Sequence, residues 1–161
     1  MTQRKNLHHP SIDAKRTLLT VSVAHIGSTA FRSLYMKQGH QSIDICRGGE
    51  LSCAFFVSAV LRNVNLIAEQ HATVSGTVRD LQSSGWRKMK RPRAGAVIVW
   101  GPIRYPSGES HAHIGIAVST THAISTSVKT RTPIRHRINT RAHGKTKRSI
   151  ESIWWHRALE G

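Results

Sequence analysis

Apolar residues follow a helical spacing in the first half of the chain, where the sequence predicts three helices. The first spans 11–26, with Ser11 as its N-terminal cap and Gly27 at its end. The second spans 52–69 and is apolar on most sides, which is typical of a central, buried helix. The third spans 74–83. The first half therefore supplies the helical layer of the fold.

The second half changes to short runs rich in β-branched residues, which predict strands separated by turns. We expect strands at 96–100, 112–118, 123–127 and 133–138. Residues 101–110 form a turn, 139–149 form a basic loop, and an apolar segment at 150–159 closes the chain. Helices followed by strands indicate an α+β fold with an antiparallel sheet.

The chain has 161 residues, which corresponds to one domain. We expect a disordered basic tail over 1–10 and a single domain over 11–161. No apolar run reaches the roughly 18 residues of a membrane span, and the N-terminus does not resemble a secretory signal. We therefore expect a cytoplasmic monomer. Cys46 and Cys53 are too few for a disulfide scaffold.

The charge is strongly unbalanced, with 24 Lys and Arg against 8 Asp and Glu, a net charge of +16. More than half of the cations lie between Leu81 and Ile150, where Glu109 is the only acidic residue. Such a surface is typical of proteins that bind nucleic acid or an anionic cell envelope. It also occurs in basic proteins that bind neither, so charge alone leaves the partner open.

Cys53 is the first candidate for chemistry, because Ser52 is a plausible N-terminal cap and places Cys53 in the first turn of the second helix. There the helix dipole and free N–H groups favour an anion, so we expect a lowered thiol pKa. The same N–H groups can stabilise an oxyanion. The alternative is a small buried cysteine in a core helix.

Two histidines, His111 and His113, lie on the second strand and share one of its faces. His113 is a candidate general base for Cys53. The alternatives are a structural histidine, or a zinc site formed by His111, His113 and Cys53. The chain has neither the CxxC nor the HExxH spacing that would support zinc.

Four segments occur in the order found in a known family. SCAFFVSAVL at 52–61 resembles the C-S-G-F-V helix start of NlpC-type cysteine peptidases, papain-like hydrolases related to the CHAP amidases. Residues 93–100 resemble the family's P-G-D-L-V-F-W strand, and 113–118 resemble its H-V-G-I-Y-L strand. Residues 122–127 occupy the place of its next strand. The resemblance covers about 45–138 and implies a papain-like NlpC-type fold.

The resemblance also implies roles for particular residues. Cys53 would be the nucleophile, His113 the base, and a third polar group would orient the imidazole. The family's spacing gives Ser125 for that group, and His122 is the alternative by residue type. Three further residues are candidates for contact with the substrate: His111, Trp100 and Ser52. No cofactor or metal is implied.

The implied activity is thiol-dependent hydrolysis of an amide bond, with peptidoglycan stem peptides as substrate and the anionic cell envelope as partner. Non-classical export or phage-type release would bring the protein to that substrate. The chain departs from the family at Ser52, Ala54–Phe55 and Ala96, where the family has Asp, Ser-Gly and Asp. Two alternatives therefore stay open: a binding-only descendant of the same fold, and a basic nucleic-acid-binding module.

Overall fold

The fold was analysed in a computed structural model, which describes residues 11–105, 107–139, 141–142 and 146–160. The basic tail expected over 1–10 lies outside the described residues. The described part forms helices in the first half and antiparallel strands in the second half, with a small hairpin between the first two helices. The α+β class is thereby confirmed.

The three predicted helices are present: α1 at Ala14–Ala24, α2 at Cys53–Asn63 and α3 at Val74–Ser83. The cap of α1 is Asp13, whose carboxylate accepts a hydrogen bond from the N–H of Arg16, so the prediction of Ser11 as cap was wrong. The predicted end of α2 at residue 69 was also wrong. The N–H of Leu66 turns back to the carbonyl of Leu61, and Asn65 adopts a positive φ of 56° that stops the helix.

One sheet of the described residues has six antiparallel strands in the order β3-β10-β4-β5-β6-β7. Their bounds are β3 at Arg87–Lys88, β4 at Val97–Arg104, β5 at Ser110–Ala117, β6 at His122–Thr126, β7 at Pro133–Arg137 and β10 at Ile150–Trp155. The four predicted strands correspond to β4 to β7. The predicted turn at 101–110 is shorter, because β4 and β5 continue into it past a register shift between Trp100 and Ile103.

Two smaller hairpins lie outside this sheet. Strands β1 at Tyr35–Gln38 and β2 at Gln41–Asp44 pair in a segment that the sequence analysis did not assign to strands. Strands β8 at Arg141–Ala142 and β9 at Thr146–Lys147 pair within the basic segment predicted as a loop. The strands of both hairpins are only two to four residues long and show no alternation of apolar and polar residues, so the sequence pattern did not predict them.

The core forms where α2 packs on β5 and β6. Phe56, Val57 and Leu61 of α2 are fully buried, as are Ile114 and Ile116 of β5. Burial of each such side chain contributes roughly 1.5–3 kcal/mol, so this contact fixes the start of α2 against the middle of the sheet. Within the described residues, no helix has the length and apolarity needed to cross a membrane.

Candidate active site

The segment before α2 is held by the carboxylate of Asp44. It accepts hydrogen bonds from the N–H groups of Leu34 at 3.0 Å, Cys46 at 3.0 Å and Gly48 at 2.8 Å. These bonds lower the pKa of Asp44, although burial opposes them. Gly48 and Gly49 have φ values of 62° and 102°, which glycine adopts without strain. The turn thus delivers the chain to residue 53 in a fixed direction.

Cys53 is the first residue of α2, as predicted, with Ser52 at the cap position. Ser52 makes no capping hydrogen bond, because its buried hydroxyl donates to the carbonyl of Gly49 at 3.1 Å. Ser52 thus occupies the predicted N-cap position, but its side chain does not bond to the N–H groups of the helix. Within the described residues, the N–H groups of the first turn therefore donate to no capping side chain, and those of Cys53 and Ala54 lie close to the Cys53 sulfur.

The pKa of the Cys53 thiol is raised above its ordinary value, which contradicts the expected lowering. Burial disfavours the thiolate, and this effect exceeds the stabilisation by nearby N–H groups of Ile114 and Ala54 and by the charge of Arg148. The hydrogen bonds from backbone N–H groups thus act in the expected direction, but desolvation outweighs them. The closeness of the Ile114 N–H also places the thiol beside β5, next to the peptide of His113.

His113 and Ser125 are brought together by the pairing of β5 with β6. The Nε2 atom of His113 lies 2.7 Å from the Ser125 hydroxyl, and the same hydroxyl lies 2.7 Å from Nε2 of His136 on β7. Burial lowers the pKa of His113 to about 3, and the charges of Arg148 and His136 act in the same direction. The imidazole is therefore neutral over the physiological range.

Cys53 and His113 share this region without a hydrogen bond between the thiol and the imidazole in the described residues. Nδ1 of His113 also has no hydrogen-bond partner there, whereas Nε2 is engaged by Ser125. Catalytic hydrogen bonds are commonly long in unliganded enzymes and shorten when the substrate binds. Nδ1 is thus the nitrogen that remains for proton transfer.

The three candidates for substrate contact occupy different environments. Trp100 is buried; its indole N–H donates to the carbonyl of Ile138, and its ring packs 5.5 Å from that of His113. Ser52 is buried with its hydroxyl engaged. His111 is partly exposed, with Nε2 3.4 Å from the Glu109 carboxylate. Of the three, His111 alone presents a side chain to solvent at the edge of the site.

Arg148 is a buried cation at this site that sequence reasoning missed. Its Nη1 donates to the carbonyls of Gly101 and His111 at 3.1 and 3.0 Å, and its Nη2 lies 3.5 Å from the hydroxyl of Tyr105. No carboxylate within the described residues forms an ion pair with it. Burial lowers the pKa of Arg148, and its uncompensated charge favours a thiolate at Cys53.

The remaining assignments concern His122 and zinc. His122 bonds through Nδ1 to the hydroxyl of Thr121 at 3.0 Å, so Ser125 and not His122 is the partner of His113. No three His, Cys, Asp or Glu side chains converge as metal ligands in the described part of the chain. Cys53, His111 and His113 therefore do not form the zinc site considered from the sequence.

His136 is the second residue that sequence reasoning missed. It lies on a predicted strand between Arg135 and Arg137, and nothing in its local sequence distinguished it as a site residue. Its strand position pairs with Ala123, two residues before Ser125, which brings its ring to the same hydroxyl. The sequence could have indicated His136 only if the pairing of β7 with β6 and its register relative to Ser125 had been known.

Comparisons with known proteins do not assign the chain to a family. No family model matches the sequence, and no curated protein matches it either.

Proposed function

We propose that this protein is a thiol hydrolase of the papain-like, NlpC type, with Cys53 as nucleophile and His113 as general base. One observation carries the proposal: Cys53 begins a buried helix packed on the strand of His113, whose Nε2 is held 2.7 Å from Ser125. A nucleophile, a base and an orienting group in this order are the elements that acyl transfer requires.

The Cys53 sulfur attacks the carbonyl carbon of a bound amide while its proton passes to Nδ1 of His113. The oxyanion is stabilised by backbone N–H groups at the start of α2. His113 then protonates the leaving amine, and a thioester remains on Cys53. Water, deprotonated by His113, hydrolyses the thioester and restores the thiol.

The resting site holds a neutral thiol and a neutral imidazole, in contrast to a preformed ion pair. The raised thiol pKa and the lowered imidazole pKa both favour this state. Proton transfer then accompanies the attack on the substrate. The positive charge that forms on His113 is balanced by the negative charge that forms on the oxyanion. The same arrangement keeps the thiol poorly reactive until a carbonyl is bound.

Peptidoglycan stem peptides are the proposed substrate class, and this part of the proposal rests on the resemblance to NlpC-type peptidases. The net charge of +16 is compatible with an anionic envelope polymer as partner. Arg47 and Glu109 form a two-bonded ion pair, at 2.7 and 2.9 Å, between the turn before α2 and the β4–β5 hairpin. The same Glu109 carboxylate lies 3.4 Å from Nε2 of His111, so the pair joins these two segments beside that candidate contact residue.

The test is hydrolysis of purified peptidoglycan fragments, followed by mass spectrometry for products and for a thioester trapped on the protein. We expect Cys53→Ala to abolish both. Cys46→Ala is the matched control, since the Cys46 thiol is buried and its pKa is raised to about 11. Full turnover by Cys53→Ala, or its loss only in Cys46→Ala, would reject the proposed nucleophile.

Nucleic-acid binding is the second candidate function, favoured by the excess of cations in the second half of the chain. It predicts affinity for DNA or RNA that falls steeply with salt and does not change in Cys53→Ala. Tight, salt-dependent binding by a protein that also leaves peptidoglycan fragments intact would favour this function over hydrolysis.

A further inference from the structure

A chain of hydrogen bonds leads from His113 through Ser125 to His136 and ends at a backbone carbonyl. The successive distances are 2.7 Å from His113 Nε2 to Ser125 Oγ, 2.7 Å from Ser125 Oγ to His136 Nε2, and 2.9 Å from His136 Nδ1 to the carbonyl oxygen of Arg137. A carbonyl oxygen only accepts hydrogen bonds. The Nδ1 atom of His136 must therefore carry a proton and donate it to this carbonyl.

While His136 is neutral, its bond to the Arg137 carbonyl determines where the protons of His136, Ser125 and His113 lie. A neutral imidazole protonated on Nδ1 has a lone pair on Nε2, so the Ser125 hydroxyl donates to His136. Since a hydroxyl has one hydrogen, the second contact of Ser125 must be an acceptor contact. His113 therefore donates from Nε2 and keeps its lone pair on Nδ1, the nitrogen that remains for Cys53.

We infer that His136 is a positioning residue of this site, which acts through the Ser125 hydroxyl to hold His113 in the tautomer with a free Nδ1. The inference rests on the proposed function, because the free Nδ1 matters as a base only if Cys53 is the nucleophile. Ser125 alone does not set the tautomer, since a free hydroxyl can either donate to His113 or accept from it. His136 removes that choice.

Protonation of His136 reverses the direction of the hydrogen bonds that join it to Ser125 and His113. Its Nε2 then donates to Ser125, and the Ser125 hydroxyl satisfies its own hydrogen only by donating to Nε2 of His113. His113 would then carry its proton on Nδ1 and cease to be a base toward Cys53. The alternative leaves the buried Ser125 hydrogen without a partner, which is unfavourable.

The surroundings of His136 favour its neutral form. His113 on β5 lies with its ring centroid 6.5 Å away, His122 acts on it from β6, and Arg135 and Arg137 flank it on β7. No carboxylate in the described residues forms an ion pair with it. Burial and the charge of His122 lower the pKa of His136, whereas the Arg137 carbonyl raises it. The ring also packs 5.6 Å from Trp100.

The experiment is a pH titration by NMR of the full chain labelled with ¹⁵N in histidine, which distinguishes an imidazole protonated on Nδ1 from one protonated on Nε2. His136→Gln replaces the acceptor at Nε2 with an amide oxygen that does not titrate. His136→Ala removes the acceptor. His122→Gln is the matched control, since it is the same substitution on the neighbouring strand and outside the chain of hydrogen bonds.

At neutral pH we expect His113 protonated on Nε2 in wild type, in His136→Gln and in His122→Gln. The ratio of the two tautomers should fall about fivefold in His136→Ala, the effect of one hydrogen bond of typical net strength. On acidification the His113 tautomer should reverse in wild type, in step with protonation of His136, and should not reverse in His136→Gln.

Two results would overturn the inference: a wild-type His113 protonated on Nδ1 at neutral pH, or a tautomer ratio unchanged in His136→Ala. If His136→Ala does not fold, the wild-type titration and His136→Gln still decide. The spectra need no substrate. Absence of hydrolysis at Cys53 would therefore reject the proposed function, while the tautomers separately determine the role of His136.

Discussion

His113 and Ser125 lie twelve residues apart on adjacent antiparallel strands, and their side chains meet with Nε2 2.7 Å from Oγ. The Ser125 hydroxyl is buried, the imidazole of His113 is half-buried, and the ring of Trp100 packs beside it. A hydrogen bond in such surroundings costs more to break than it contributes on average, because the remaining partner stays desolvated.

Replacement of Ser125 by Ala should therefore affect both stability and chemistry. The Nε2–H of His113 loses its acceptor, and we expect unfolding free energy to fall by about 1–3 kcal/mol. The imidazole is then free to rotate, so hydrolysis should fall as well. Urea unfolding measures the first effect, and turnover of peptidoglycan fragments measures the second.

Ser127→Ala is the control for Ser125→Ala, because its hydroxyl only accepts a bond from the N–H of Thr130 in an exposed turn. It should change both quantities little. If Ser125→Ala lost stability and kept full turnover, Ser125 would be a structural residue and the orientation of His113 would have another origin.

The reactivity of Cys53 should rise with pH and reach half of its maximum above the free-thiol value of about 8.5. The reason is burial, which raises the pKa of this thiol. Iodoacetamide labelling, with the two cysteines separated by peptide mass spectrometry, measures the midpoint. A midpoint below neutral pH would instead demonstrate a preformed thiolate–imidazolium pair and would contradict the neutral resting state proposed above.

Substitutions of Arg148 should change the pKa values of Cys53 and His113. Its positive charge favours the thiolate and disfavours the imidazolium, so Arg148→Met should raise the pKa values of both Cys53 and His113. Arg148→Lys retains the charge and should shift them less. The labelling midpoint and a histidine NMR titration provide the two readouts. Equal shifts in both variants would show that the hydrogen bonds of Arg148 matter and its charge does not.

The sequence was sufficient to place Cys53 at the first residue of α2 and to predict the strands of His113 and Ser125. These follow from local patterns: an apolar helix after a turn, and short β-branched runs. The thiol pKa could not be predicted, because it depends on burial by β5, which is distant in the sequence. The two missed residues have a similar explanation, since the contacts of each are distant in the sequence. His136 reaches Ser125 through the pairing of β6 with β7, and Arg148 bonds to the carbonyls of Gly101 and His111.

The hairpin β1–β2 was not predicted from the sequence for a different reason. Tyr35 and Met36 are apolar but remain mostly exposed, and the segment around Gly39 consists largely of polar residues. The strands form through their pairing with each other and not by burial against the core. A pattern that reports burial cannot detect such a hairpin.

Gly115 provides a steric test of the site. A Cβ atom there would lie 2.8 Å from the carbonyl oxygen of Ile124, 3.0 Å from Cβ of Ser125 and 3.2 Å from the Trp100 ring. Gly115→Ala must therefore push β6 away from β5 at Ser125. We expect a loss of about 1–3 kcal/mol in stability and reduced turnover.

Gly101→Ala is the comparison for Gly115→Ala. Its added Cβ would meet the Ser149 hydroxyl at 3.0 Å, and that side chain is able to rotate away. Thermal unfolding and the crystal structure of each variant measure the displacement. A Gly115→Ala protein with an unchanged distance between His113 and Ser125 would contradict the packing described here.

The environment of Asp80 predicts how the free energy of unfolding changes with pH, independently of the chemistry at Cys53. Its carboxylate accepts bonds from the N–H groups of Ala68 and Glu69 at 3.0 and 2.9 Å, from Nε2 of His71 at 2.7 Å and from the Ser84 hydroxyl at 2.8 Å. The side chain is 6% exposed. These bonds lower the pKa of Asp80 to about 2, although burial opposes them.

A carboxylate whose pKa is lower in the folded than in the unfolded chain stabilises the fold when it is ionised in both states. The unfolded value is about 3.9, so this stabilisation, roughly 2–3 kcal/mol, is complete above about pH 5 and is lost as pH falls toward 2. Asp80→Asn should therefore unfold at lower urea concentration than wild type at pH 7. The difference between the two urea midpoints should be smaller at pH 2–3, where the wild-type carboxylate becomes protonated and loses its charge.

Asp13→Asn is the matched control for Asp80→Asn, since Asp13 is an exposed helix cap and Asn caps a helix about as well. It should change the urea midpoint little at either pH. If Asp80→Asn lost the same stability at pH 7 and at pH 2.5, its effect would come from altered packing. The bonds to residues 68–71 would then not depend on the charge of Asp80, and the acid sensitivity of the protein would have to arise from another carboxylate.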